Sequence, residues 1–322
     1  MEKEQIICQC CLNDDTSQFI ERYKKNGFVV LECKKCSFNF IPPRYRENVT
    51  YGDYKSDDTL MQIRQGNNWL KVQRNLLRYK LIRKYKKSGT LFDLGVGWGH
   101  FLYTGRLLGY DVYGIEIANN PYIYAKNDLN LPVDQIDFFQ MDKPDKSYDI
   151  ITMWDVLEHI DKADLVIEKC SKLIKDNGYI IIQVPQIDSF IAKRQKESWT
   201  MMGLDHVNYF SKKNIPVILN RHGFDVVKIK SSIEFKLLLM FVVLPWVKKR
   251  KNKGQTSPAI SHPERQKYFN KITAKPKIIL KLFVWVHNII YNILSFFNIG
   301  EEMIVVAKKR GKQKDFNASA LP

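Results

Sequence analysis

Residues 91–99 read Leu-Phe-Asp-Leu-Gly-Val-Gly-Trp-Gly, and no stretch of the 322-residue chain restricts the backbone more tightly. Leu91, Phe92 and Asp93 run straight into Gly95, Gly97 and Gly99, and an apolar helical pattern opens at His100. A buried strand, a turn of bare backbone and a helix with its N-terminal amides facing a ligand satisfy that order. Glycine accepts the left-handed conformations and close approaches that other residues resist. The third glycine follows the second by two positions, one fewer than in the dinucleotide-binding fingerprint.

The stretches that follow keep the same rhythm. Tyr110-Asp-Val-Tyr-Gly-Ile-Glu116 reads as a second strand ending in an acid, about 20 residues past the loop, where sheets of this kind set a ribose-binding carboxylate. Val133 to Phe138 is a short apolar-polar segment, and Ser147 to Trp154 predicts a buried strand leading into Asp155-Val-Leu-Glu-His-Ile160. Leu165, Ile167, Cys170, Leu173 and Ile174 repeat at helical spacing, and Asp176-Asn-Gly178 predicts a glycine C-cap. Tyr179 to Val184 is another apolar strand, stopped by Pro185. Strands alternating with helices predict an α/β chain with a parallel sheet covered on both faces.

The Asp93-x-Gly95-x-Gly97-x-Gly99 loop resembles the signature of class I S-adenosyl-L-methionine (SAM) methyltransferases. The Leu157-Glu-His-Ile160 box and the Gly178-Tyr-Ile-Ile-Ile-x-x-Pro185 run resemble later motifs of that family, so the likeness covers roughly residues 89–230 plus a final strand. It implies a Rossmann-like seven-stranded sheet. It further implies that Gly95, Gly97 and Gly99 admit the methionine part of SAM, with Asp93 facing its amino group directly or through water. Glu116 would hold the ribose hydroxyls, Asp137 would accept from the adenine amino group, and Phe138 would flank the ring. Asp142, five residues on, competes for the role of Asp137.

Methyl transfer from a sulfonium depends on positioning and on a deprotonated acceptor. A hydroxyl acceptor calls for a base, and histidine suits neutral pH. His206, in Gly203-Leu-Asp-His-Val-Asn-Tyr-Phe-Ser211, follows strand five and is the first candidate; similar His-x-x-x-Phe-Ser boxes occur in family members. His159, just past strand four, is the second. For each, the structural alternative is a hydrogen-bonded ring that shapes a lid or a helix start.

Cys8 with Cys11 and Cys33 with Cys36 form two Cys-x-x-Cys knuckles around a strand-like Gly27-Phe-Val-Val-Leu-Glu32. This is the spacing of a four-thiolate zinc ribbon, a closed and therefore structural site. Cys10 lies inside the first knuckle and competes for its place. A disulfide framework is the rival reading. The charged Met1-Glu-Lys-Glu start lacks the pattern of a signal peptide, which favours a reducing, cytoplasmic compartment.

The formal charge of +17 raises nucleic acid as a partner, but the basic residues are spread out. Lys71, Arg74, Arg78, Lys80, Arg83, Lys84, Lys86 and Lys87 sit on an expected amphipathic helix with Leu70, Leu77 and Leu81, ahead of strand one. A solvated face explains such a charge run better than RNA does. The ribbon followed by Tyr51-Gly-Asp-Tyr54 resembles instead the sugar and small-molecule methyltransferases of surface-polysaccharide and antibiotic-sugar pathways.

About 70 residues separate the sixth strand, Phe224 to Lys230, from the last, Glu302 to Ala307. Residues 233–247 and 278–299 are apolar, with the basic run Lys248 to Lys253 between them. The first run is short for a bilayer, and the second carries Lys281, His287 and a polar stripe. A lid, a dimer face, or helices lying in a membrane interface remain, and Trp246 and Trp285 suit the last.

The expected organisation is a ribbon over 1–45, a helical connector over 46–88, a methyltransferase domain over 89–310 carrying the 233–299 insertion, and a disordered tail over 311–322. The expected activity is SAM-dependent methylation of a small or lipid-linked acceptor, a sugar before all, with zinc as structural metal and a site in the cytoplasm or at the inner membrane face. A quinone-precursor O-methyltransferase, a SAM-binding protein without catalysis and an RNA methyltransferase are the alternatives.

Overall fold

The computed structural model describes residues 6–46, 60, 69–232, 285, 289 and 293–311. The strands are β1 (Phe19–Lys25), β2 (Phe28–Cys33), β3 (Asn39–Phe40), β4 (Thr90–Leu94), β5 (Asp111–Ile115), β6 (Val133–Asp134), β7 (Tyr148–Trp154), β8 (Ile174–Pro185), β9 (Asn208–Tyr209), β10 (Phe224–Ser232) and β11 (Glu302–Lys309). The α-helices are α1 (Trp69–Ile82), α2 (His100–Leu107), α3 (Asn119–Ile123), α4 (Ala163–Leu173), α5 (Phe190–Gln195) and α6 (Ile215–Arg221).

Seven strands form one sheet in the order β10-β11-β8-β7-β4-β5-β6. From β8 to β6 neighbouring strands run parallel, while β11 runs antiparallel to both β8 and β10. Both faces are covered. Phe92, Ile151, Met153, Ile180, Ile182 and Val305 enter one apolar cluster, and their strand neighbours Leu91, Ile150, Ile181, Ile304 and Val306 enter a second. That explains the near-continuous apolar runs of β7 and β8. The chain leaves β4 toward β5 and β6, then returns to lay β7 and β8 on β4's other side. The crevice at the carboxyl ends of β4 and β7 is thus a topological switch point, where open α/β sheets bind ligands.

The expected C-cap is different. Helix α4 stops at Leu173, and Ile174 is already extended and paired with Tyr148. The left-handed residue is Asn177, at φ 62°, and Gly178 lies within β8. Pairing with β7 pulls Ile174 out of the helix before any glycine cap is reached.

The N-terminal segment forms a second sheet in the order β1-β2-β3-β9. Its last strand comes from the segment between β8 and β10, with Asn39 opposite Tyr209 and Phe40 opposite Asn208. Strand β2 is apolar on both sides because both sides are covered. Val29 and Leu31 join the main core beside Phe210, and Phe28 and Val30 pack with Ile41, Trp199, Met202 and Tyr209.

Tyr51 to Tyr54, most of the 233–299 insertion with its basic run, and the tail beyond Gly311 lie outside the described residues, as do the side chains of Lys71 and Arg74. At the described end of the insertion, Trp285, Ile289, Ile293, Phe296 and Phe297 are exposed. No helix among the described residues is long and apolar enough to cross a membrane.

Candidate active site

The loop after β4 takes the backbone that its glycines predict. Gly95, Gly97 and Gly99 all have positive φ, at 77°, 55° and 73°. A Cβ on Gly95 would stand 2.6 Å from Val156 Cγ2, whereas one on Gly97 would meet nothing within 4 Å. Gly95 is therefore bare for packing, and Gly97 faces open space at the switch point. The amides of Gly95 and Val96 both donate to the Ile115 carbonyl, at 3.0 Å each, which ties the turn to the end of β5.

Glu116 closes the loop from the other side. Its Oε2 accepts from the Gly97 amide at 2.6 Å and its Oε1 from the Ala118 amide at 2.8 Å. A carboxylate oxygen carries two lone pairs and can accept more than one hydrogen bond. Asp93 is buried, and its Oδ1 accepts from Thr152 Oγ1 at 2.5 Å. Burial pushes its pKa up to about 8 despite that hydrogen bond and the opposing pull of Arg78.

Asp137 is held by a local turn, its Oδ1 accepting from the Phe139 amide at 2.7 Å. Phe138 is turned inward, its ring stacked on Phe92 at 6.0 Å between centroids, while the neighbouring Phe139 ring is exposed. The carbonyls of Phe138, Phe139 and Met141 all accept from Lys169 Nζ, which fixes the course of this segment.

At the end of β7 the chain turns through Asp155, a non-glycine residue at φ 60°. Such a conformation costs about 1–2 kcal/mol and draws attention to the site that holds it. Gln183 holds it, donating to Asp155 Oδ1 at 2.9 Å and to Glu302 Oε2 at 2.9 Å, and the Asp155 amide donates to the Gln183 carbonyl. The Arg78 guanidinium lies 4.0 Å over the Trp154 ring and 4.0 Å from Asp155. Asp155, Gln183 and Glu302 were not singled out from sequence. Asp155 directly after a strand was the available signal; Glu302 is more than a hundred residues from its partner.

His159 and His206, 47 positions apart in sequence, meet with ring centroids 4.6 Å apart, edge to face. His159 Nδ1 lies 2.6 Å from the Asp205 carbonyl oxygen and His206 Nδ1 2.7 Å from that of Met201. Burial, and then the adjacent His206, pull the His159 pKa below its ordinary value. A neutral imidazole with its proton on Nδ1 presents a basic Nε2.

The knuckle cysteines come together as their spacing implies. Cys8 and Cys36 Sγ are 3.6 Å apart, Cys11 and Cys33 Sγ 3.7 Å, and all four sulfurs lie within 4.8 Å of one another. A zinc tetrahedron with 2.3 Å Zn–S bonds has edges of about 3.8 Å, so the set fits the ion. No disulfide joins them. The two knuckles repeat one geometry: Leu12 and Ser37 are left-handed, and their amides donate to the carbonyls of Cys8 and Cys33. Cys10 turns away and donates to the Asn214 carbonyl at 3.2 Å, which leaves Cys8 as the partner of Cys11.

Residues 66–229, about half of the chain, match the family model described as a methyltransferase domain. The chain belongs to this family. Its sheet and loop are those of a class I SAM-dependent methyltransferase. Among similar curated proteins is a ubiquinone biosynthesis O-methyltransferase of Proteus mirabilis, 24% identical over 119 residues, 35% of this chain and 45% of that protein. The namesake enzyme of Pelagibacter ubique is 30% identical over 118 residues, 34% of this chain and 49% of its own. The chain spans about half the length of the curated relatives it matches. A solved Haemonchus contortus phosphoethanolamine N-methyltransferase 2 superposes with a TM-score of 0.51 at 15% identity, covering 85% of this chain and 62% of that one, a likeness of fold.

Proposed function

We propose that this methyltransferase moves the methyl group of SAM to a small or lipid-linked acceptor, a sugar in surface-glycan biosynthesis first. The observation that carries the reading is the open face of Gly97, with the Glu116 carboxylate on its amide. Gly95, Gly97 and Gly99 leave the backbone bare for the methionine part. Asp93 offers a counter-charge to its amino group, Glu116 reaches the ribose hydroxyls, and Asp137 borders the adenine, while Phe138, packed inward on Phe92, is withdrawn from the ring-flanking role. Bound there, SAM supplies a methyl group already activated by its sulfonium.

The remaining work falls to this chain's own side chains. His159 and His206, close to the carboxyl end of β7, are the groups placed to take a proton from an acceptor hydroxyl. Asp155, Gln183 and Glu302 form a polar wall that suits an acceptor rich in hydroxyls. Four thiolates of Cys8, Cys11, Cys33 and Cys36 hold a structural zinc ion.

The exposed Trp285, Ile289, Ile293, Phe296 and Phe297 favour a lipid-linked acceptor met at a membrane surface. They also support a second reading, a quinone precursor as acceptor, which agrees with the names of the curated relatives. The test is transfer from methyl-labelled SAM into an extract of the source cells, split into organic and aqueous phases. Label in the organic phase supports the lipid-linked acceptor, and label in water alone points to a soluble sugar or metabolite. No transfer to any acceptor, beside tight SAM binding, would leave a SAM-binding protein without catalysis.

A further inference from the structure

Glu158 is the least comfortable side chain of the described residues. It is 1% exposed, and neither carboxylate oxygen has a hydrogen-bond partner. Its closest charged-group contact is His159 Nε2, 3.9 Å from Oε1. Burial, then the nearby Asp155 and Glu302, hold its pKa well above the carboxylate range. Taking up a proton would remove the charge, but the new O–H would still lack an acceptor. An unsatisfied buried polar group costs about 1–3 kcal/mol and asks for an explanation.

The two histidines supply one. In each ring Nδ1 faces a main-chain carbonyl, which only accepts, so Nδ1 carries a proton and in the neutral ring Nε2 carries the lone pair. That Nε2 faces Glu158 Oε1 at 3.9 Å in His159 and Asp205 Oδ2 at 3.7 Å in His206. A carbonyl on the far nitrogen is the usual arrangement behind a metal-bound histidine, because it fixes both the tautomer and the ring plane. One ligand atom from each of Glu158, His159 and His206 lies within 4.8 Å of the other two. Ligand atoms around an ion bound at 2.0–2.2 Å stand roughly 3–3.6 Å apart, so the widest separation must close by about 1 Å. The main chain around the trio is tied down. The Val207 amide donates to the Glu158 carbonyl at 2.8 Å, and Asn208 Nδ2 donates to the carbonyls of Leu157 and Ile160.

We propose that Glu158, His159 and His206 bind a divalent transition metal ion, a site separate from the four cysteines. Two imidazoles and one carboxylate suit zinc, manganese or ferrous iron, and they leave positions open for an acceptor oxygen. The inference deepens the reading of this pocket as the acceptor site. With the ion in place the two rings are ligands, and acidification of the acceptor comes from the ion. The bound hydroxyl gives its proton to bulk water. Its oxygen then bonds to the methyl carbon, and the electron pair of the broken C–S bond returns to sulfur. The products are a methyl ether, a neutral thioether and one proton.

The experiment uses the full chain, stripped with chelator and reloaded with cobalt(II). Metal content is measured alongside the visible spectrum. The proposal expects two equivalents, one with intense thiolate charge-transfer bands from the cysteines and one with weak d–d bands alone. Glu158→Gln and His206→Ala should each lose the second equivalent, or loosen it at least ~100-fold, while SAM binding and the thiolate bands persist. Cys33→Ser should lose the thiolate bands and also loosen the second ion, because the ribbon holds the segment that bears His206. A wild-type protein that takes up one equivalent with thiolate bands overturns the proposal, and this needs no variant to fold. Full methyl transfer by protein holding that single equivalent would overturn it too while leaving the methyltransferase reading intact. Two equivalents without transfer to any acceptor would do the reverse.

Discussion

Replacing Asp93 with Asn isolates one charge at the centre of the site. Asp93 is buried beneath the glycine loop, and burial raises its pKa from an ordinary 3.8 to about 8. Below pH 3.8 the folded and unfolded chains both carry the proton, and the group contributes nothing to the pH dependence. As pH rises from 3.8 toward 8 the unfolded chain releases its proton and the folded chain keeps it, so stability falls; above 8 the loss levels off. At about 1.36 kcal/mol per pH unit, the loss reaches about 4 kcal/mol by pH 7. Asn removes that loss. It keeps an oxygen to accept from Thr152 and adds a buried amide donor that costs about 1–3 kcal/mol. The ligand-free variant should therefore be more stable than wild type by about 1–3 kcal/mol at pH 7.

The pH dependence is the sharper readout, because the donor cost does not vary with pH. Denaturant unfolding of both proteins from pH 4.5 to 8.5 should show the variant's advantage growing with pH and then flattening. SAM binding should run the other way. The cation of its amino group favours the ionised carboxylate, so wild-type binding at pH 7 should release a proton, visible as buffer-dependent heat in calorimetry. The variant should show no such release and bind SAM about 10–100-fold more weakly, the equivalent of a charged hydrogen bond. An advantage that stays constant across the pH range would refute the argument, as would a variant less stable than wild type at pH 8.

Other perturbations separate packing from binding. Gly97→Val forces a β-branched residue into the left-handed region in open space and should abolish SAM binding while circular dichroism stays native. Gly95→Ala drives a methyl into Val156 and should cost about 2–4 kcal/mol in unfolding experiments; indistinguishable stability would refute the packing role. Gln183→Leu strips a shared donor from Asp155 and Glu302 and should destabilise by about 2 kcal/mol, read by thermal melting. Cys33→Ser should lower bound zinc and melt the ribbon early; unchanged metal content would show that the knuckles do not form a site.

What could be read from the sequence was whatever depends on backbone rules or fixed spacing. The glycine loop, the acid that closes β5 and the alternation of strands and helices along the chain are local statements, and the two knuckles are repeats of one motif. The acid after β6 was legible, but the inward turn of Phe138 was not, since two adjacent phenylalanines offer no local sign of which faces the core. Gly178 misled because strand pairing at Ile174 outweighed a capping preference. Glu158 escaped notice since its burial depends on Val207 and Asn208, about fifty residues away, closing over it. Strand β9 is two residues long and finds its partner at Asn39–Phe40, a pairing with no trace in composition or periodicity.

That short strand changes how the two halves of the chain relate. An autonomous ribbon would be an appendage, and losing its metal would leave the acceptor pocket untouched. Here β3 pairs with β9, which starts two residues after His206, and the Ile41 amide donates to the Val207 carbonyl at 2.9 Å. Lys25, on β1, donates to the carbonyls of Trp199 and Met202, on either side of the Met201 carbonyl that holds the His206 ring. Arg221, on α6, reaches back to the Cys10 carbonyl at 2.6 Å and pairs with Asp164. The segment bearing His206 is thus clamped between the ribbon and the end of β7. A four-thiolate ion would fold the clamp, and a histidine of this kind needs its ring held to within about 0.5 Å. The thiolates would therefore act on the chemistry through His206. Melting the ribbon by Cys33→Ser should accordingly weaken transfer to the acceptor well before it weakens SAM binding, because the glycine loop and Glu116 belong to the large sheet alone.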